Sequence, residues 1–115
     1  MNNTEELLLR EPKDSTGTYF QGITIYCTPH ELIKVCEKNC IDYMEYNYGD
    51  DKTNFDFEFE TKDGVVFTVY DWKEYKKLDM HENISFHIGA HSRLDAIVGR
   101  EYLCKELNKI NRDVI

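Results

Sequence analysis

Positive charge is in short supply in this chain. Fourteen Lys and Arg face 22 Asp and Glu, a formal net charge of −8 over 115 residues. No basic stripe is available to neutralise phosphates, so direct nucleic-acid binding is disfavoured. An acidic surface serves solubility first, and it can also meet a basic partner, including the DNA-binding groove of another protein. Long apolar runs are missing too, so no membrane span is expected. The opening "MNNTEELLLREPKD" lacks the basic start and apolar stretch of a signal peptide. The four cysteines, Cys27, Cys36, Cys40 and Cys104, form no C-x-x-C pair. Reduced thiols in a cytoplasmic setting are the expectation. A nucleophile elbow, P-loop, dinucleotide fingerprint and zinc-protease motif are all absent, so no catalytic residue, cofactor or metal is assigned.

What remains is the composition of a folded globule: 41% hydrophobic and 13% aromatic residues. The length suits one domain that buries roughly two-thirds of its unfolded surface. Residues 1–16 read as a polar N-terminal arm whose Leu7, Leu8 and Leu9 could dock on the body or on a partner. Residues 17–115 read as the domain. Residues 18–27, "TYFQGITIYC", are β-branched and aromatic, a strand with Gly22 as a bulge. Thr28 then serves as N-cap, Pro29 as first helical residue and Glu31 as the closing member of a capping box, for a helix to about Cys40.

Residues 54–62 alternate, with Phe55, Phe57 and Phe59 on one side and Asp56, Glu58 and Glu60 on the other. Asp63-Gly64 turns the chain into a return strand over 65–71. A charged connection leads to a fourth strand over 84–89. Ser92 caps a second helix whose apolar face is Leu94, Ile97, Val98, Leu103, Leu107 and Ile110. The order strand-helix-strand-strand-strand-helix predicts a two-layer α+β domain, an antiparallel sheet of about four strands with both helices on one face.

Placing the helices over the apolar side sends Phe20, Thr24, Tyr26, Asp56, Glu58, Glu60, Thr68, Tyr70, Trp72, Ser85 and His87 to the other. That side mixes rings, hydroxyls and carboxylates, which suits recognition better than plain solvent exposure. Other constellations carry less. Cys36 and Cys40 at helical spacing could share a metal, but small buried cysteines are the commoner outcome. A calcium loop counted from Asp50 puts Lys52 at a ligand position, Phe55 at the turn glycine and Thr61 at the final glutamate, and fails. His87 could act as a general base oriented by Asp71 or Glu58. The amides of residues 89–92, beside His91 and Arg93, could hold an anion at a helix start.

Phe20-Gln21-Gly22, Thr28, Asp63-Gly64, Tyr70-Asp71-Trp72-Lys73 and Phe86-His87-Ile88-Gly89 together give a pattern over residues 17–107. It resembles a family of small uncharacterised proteins encoded by bacteriophages and large DNA viruses. The chain departs from that pattern at Phe86, where tryptophan is common, and at Ala90, where a second glycine is common. The resemblance implies a viral accessory protein in the host cytoplasm or the virion and implies no activity. The expected function is binding of a host or viral protein, or of a small anionic, nucleotide-like ligand. Tyr70, Trp72, Lys73, His87, Gly89, His91 and Ser92 are the expected contacts. The alternatives are a minor virion component and a small enzyme using His87; self-association is left open.

Overall fold

The computed structural model describes residues 7–45, 47–49 and 52–113. Residues 1–6 of the N-terminal arm, and Asp50 and Asp51 of the calcium-loop reading, lie outside the described residues. Strands β1 (Leu9–Arg10), β2 (Tyr19–Cys27), β3 (Met44–Glu45), β4 (Phe55–Thr61), β5 (Val66–Tyr70) and β6 (Ile84–Ala90) join helices α1 (Pro29–Asn39) and α2 (Arg93–Asp113) in an α+β fold. The strands make one antiparallel sheet in the order β1-β4-β5-β6-β2, with β3 also on β4.

The sheet therefore has six strands rather than about four. The two additions are two-residue strands that pair with β4: Leu9 with Thr61 and Arg10 with Glu60, then Met44 with Asp56 and Glu45 with Phe55. Each covers one end of an edge that would otherwise leave backbone groups unpaired. Leu9 is consequently part of the core rather than of a loose arm. The first long strand, β2, lies beside β6.

Each element follows from its sequence. Thr28 Oγ1 accepts the Glu31 amide at 3.0 Å while Glu31 Oε1 accepts the Thr28 amide at 2.9 Å, the reciprocal box. α1 stops one residue earlier than its spacing suggests. Cys40 turns left-handed at φ 57° and caps the helix, its N–H reaching the Cys36 and Glu37 carbonyls. Cys40 is accordingly exposed and Cys36 buried. Gly22 sits at φ 76° where the β2–β6 register jumps between Phe20 and Ile23, the expected bulge. The bulge is tied on both sides: Gln21 Nε2 donates to the Ala90 carbonyl, and Arg93 Nη1 donates to the Gln21 carbonyl.

The core is one cluster. Phe55, Phe57, Phe59, Phe67, Val69, Phe86 and Ile88 come from the sheet, Leu32, Val35 and Cys36 from α1, and Ala96, Leu103 and Leu107 from α2. The buried side of α2 differs from its sequence reading. Leu94 is exposed, while Ala96, Gly99, Leu103 and Glu106 are turned inward. Small residues there let the helix approach the sheet closely. Glu106 accepts Asn39 Nδ2 of α1 at 2.8 Å, joining the two helices by a buried polar contact. Among the described residues no helix is long and apolar enough to cross a membrane.

Candidate functional site

The ladder registers bring residues of the side opposite Phe57, Val69 and Ile88 into two rows across the sheet. One row runs Asp56, Tyr70, His87, Thr24; the next runs Glu58, Thr68, Gly89, Phe20. Carboxylates stand at the β4 end, rings toward β2. Phe20 leans from its row across the bare Gly89 position and stacks on His87, centroids 3.9 Å apart and planes 17° apart. Tyr70 meets His87 edge-on at 5.7 Å and Trp72 at 6.1 Å, and Trp72 lies near-parallel to His87 at 6.4 Å. Four rings thus form one cluster, worth more than their area alone. Phe20 and Trp72 are each 40% exposed and Tyr19 beside them 63%. An open groove of about 370 Å³ runs along this face, lined by Thr18, Phe20, Asp56, Glu58, Tyr70 and Trp72 among others.

Of the residues expected from sequence, Tyr70, Trp72, Lys73 and His87 come together here. Lys73 places its ammonium 5.6 Å from the Trp72 ring, and Lys52 places its own at 5.8 Å. Gly89 is buried within β6 and has a packing reason to be glycine. A Cβ there would meet Thr68 Oγ1 at 2.6 Å. His91 and Ser92 belong to the start of α2. Ser92 Oγ accepts the Asp95 amide at 3.1 Å, as an N-cap does, and the His91 ring sits over Gly17.

Sequence reasoning put Phe20 and Asp56 on this face without assigning them a contact, and period two was the signal that could have promoted them. It offered Glu58 and Asp71 as partners of His87, and Asp71 has a different role. That carboxylate is fully buried. Its Oδ1 accepts the amides of Asn54 and Phe55, each at 2.8 Å, and its Oδ2 accepts Asn54 Nδ2 at 2.9 Å. Asn54 goes on to the Lys76 carbonyl and the Gly49 amide, and Lys73 N–H donates to the Lys52 carbonyl. Asp71 therefore clamps the two loops that flank Trp72. Beyond it the backbone is left-handed at Lys73 (φ 55°) and Tyr75 (φ 50°), strained positions for residues with side chains.

Electrostatics separate the two ends of the groove. Burial lowers the His87 pKa below the ordinary histidine value and so favours the neutral imidazole, while the charge of Glu74 partly opposes this. The carboxylates suggested as its orienting partners are engaged elsewhere: Asp71 with Asn54 and Phe55, Glu58 with the Ser15 hydroxyl at 2.9 Å. Burial, then the charges of Glu58 and Asp71, push Asp56 up from 3.8 to about 6. A raised carboxylate pKa means that the folded state holds its proton more tightly than the unfolded chain. The stabilising contribution is complete below about 4 and is lost as pH rises through about 6, so the ionised form is a burden above that window. Asp56→Asn is expected to stabilise the protein by about 1 kcal/mol near about pH 7, a value reduced for the solvent that still reaches the group. Thermal unfolding should show a midpoint raised by about 4 °C. Below about pH 3 the gain should vanish, because the side chain is then neutral in the folded and the unfolded chain alike.

Among the described residues no group of three or more His, Cys, Asp and Glu is arranged to hold a metal ion. No protein-family model, curated protein or solved structure matches this chain.

Proposed function

We propose that this chain is a small accessory protein that acts by binding a protein partner through its open sheet face, without catalysis. The observation that carries the reading is the ring cluster of Phe20, His87, Tyr70 and Trp72, held on a rigid sheet and partly open to solvent. Rigid aromatic anchors beside polar tips are what binding surfaces concentrate. Two further observations agree. The backbone strain at Lys73 and Tyr75 is stored next to Trp72, and Asp56 is kept as a carboxylate in a place that penalises its charge. The reading takes both helices to lie on the apolar side, which leaves the other side for the partner.

The motif resemblance supports a virus-encoded accessory role in the host cytoplasm or the virion. A small anionic ligand is the second reading, favoured by the ammonium groups of Lys52 and Lys73 at Trp72. A virion component would use the leucine arm and the exposed aromatic face together; of the arm, Leu9 packs in the core and Leu7 is exposed. The enzyme reading needs a carboxylate on His87, and both candidates are occupied.

Native mass spectrometry of the protein purified from the cells that express it, repeated after denaturation, tests the proposal. A non-covalent protein mass that disappears on denaturation and is missing in Trp72→Ala supports it. A small-ligand mass with the same dependence moves the site to the second reading. A partner retained by Trp72→Ala would show that the open face is not the binding surface.

A further inference from the structure

We infer that the groove on this side of the sheet receives an arginine side chain of the protein partner, its guanidinium lying between the Asp56 and Glu58 carboxylates and the ring of Tyr70. This rests on the binding reading above and gives the partner its chemistry. The molecule itself supplies a precedent. Three carboxylates point from β4 to the open side: Asp56, Glu58 and Glu60. The last already carries a guanidinium, because Arg10 of β1 donates through Nε to Glu60 Oε2 at 2.9 Å and again through Nη2. Glu58 and Asp56 offer carboxylate acceptors one and two alternations along the strand: Glu58 takes the Ser15 hydroxyl on Oε1 and has Oε2 beside it, and Asp56 stands across from the Tyr70 ring.

The neighbouring groups select the cation. Tyr70 stands directly across the ladder from Asp56, and Thr68 stands across from Glu58. A flat guanidinium can meet a carboxylate edge-on while its face lies on a ring; an ammonium cannot do both. The Trp72 end is already flanked by Lys52 and Lys73, so the incoming cation belongs at the Asp56–Tyr70 end. The groove is open: Tyr19, Phe20 and Trp72 along it are 40–63% exposed, and Tyr70 is half-buried. Sites for small molecules enclose most of their ligand, so an open groove with exposed rings fits a side chain that arrives on a larger surface. A second copy is a poor occupant, because each chain brings a net charge of −8.

The test is a nitrogen–proton NMR titration of the full chain with the peptide acetyl-Gly-Gly-Arg-Gly-Gly-amide, beside its neutral citrulline counterpart. Saturable shifts at Asp56, Glu58, Thr68 and Tyr70 are expected. Affinity should be about tenfold weaker for the citrulline peptide, and equally weak for the arginine peptide on Asp56→Asn/Glu58→Gln. A thermal scan checks that this variant folds. Equal affinity for the two peptides, or shifts confined to other surfaces, would overturn the inference. Tighter binding of spermidine to the same residues would assign the groove to a small polyamine instead. Shifts that depend on protein concentration without peptide would assign it to a second copy. The binding reading is judged separately: a native partner retained by Trp72→Ala removes it, whereas a partner lost in Trp72→Ala yet indifferent to Asp56→Asn/Glu58→Gln leaves it standing and removes only the arginine.

Discussion

Asp71→Ala should lose about 3–5 kcal/mol of stability, enough to leave a domain of this size close to unfolding at ordinary temperature. The side chain is fully buried and takes three N–H groups. The Asn54 side-chain amide keeps a second acceptor, the Lys76 carbonyl at 3.0 Å. The main-chain amides of Asn54 and Phe55 share the single Oδ1 atom and would lose it. Each orphaned donor costs about 1–3 kcal/mol when water cannot replace the acceptor. Asp71→Asn separates geometry from charge. Its oxygen can still serve the two backbone amides, but its NH₂ would face the Asn54 amide. An intermediate loss of about 1–2 kcal/mol is expected. Urea unfolding followed by the fluorescence of Trp72, the only tryptophan, measures all three proteins. It also reports the site: with the clamp gone, Trp72 should emit at longer wavelength in the folded baseline before any global transition. An Asp71→Ala variant as stable as the parent, with an unchanged Trp72 spectrum, would mean that the loops hold themselves.

Asp71 also shows where the sequence was silent. Lying between Tyr70 and Trp72, it reads as the last residue of the return strand and as one carboxylate that could orient His87. Nothing local signals that Asn54, 17 positions earlier, will close over it. The long strands were legible because Phe55, Phe57 and Phe59 alternate with carboxylates, and period two fixes both faces at once. The same rule put Phe20 and His87 on one side, and the even parity of the bulge kept Phe20 there. The capping box at Thr28 was legible because its partners are three residues apart. β1 and β3 were not, since a two-residue strand has no period; each forms because β4 offers an unpaired edge. Leu94 misled for a related reason. Hydrophobicity favours leucine over alanine and glycine, but the seam of α2 that approaches Phe67 has no room for it, as Gly99 demonstrates.

That seam should show the second large effect. Phe67→Ala is expected to cost about 3–5 kcal/mol, because its fully buried ring anchors β5 against both Phe59 and α2. At Gly99 a Cβ would lie 2.5 Å from Phe67 Cγ and 2.6 Å from Cδ1. These are atoms of a rigid ring near its root, so the ring or the helix must move. Gly99→Ala would gain about 1 kcal/mol of helix propensity and lose about 1–3 kcal/mol to overpacking, a net loss despite the better helix former. The two substitutions should not add. With Phe67 truncated, the new methyl group falls into vacated space, and the double variant should be more stable than the sum predicts by about 1–2 kcal/mol. Chemical denaturation of the four proteins closes this cycle, and strict additivity would show that the ring does not set how closely α2 sits. The consequence for the site is directional. β5 carries Phe67 into the core and turns Thr68, which is buried, and Tyr70, which is half-buried, to the other side of the sheet. Gly99→Ala presses on β5 from behind, whereas Gly89→Ala would press on Thr68 Oγ1 from within the open-face row. The first should lower stability while leaving the rings of Tyr70 and His87 in register. The second should disturb that register directly, because Gly89 is the gap across which Phe20 reaches His87.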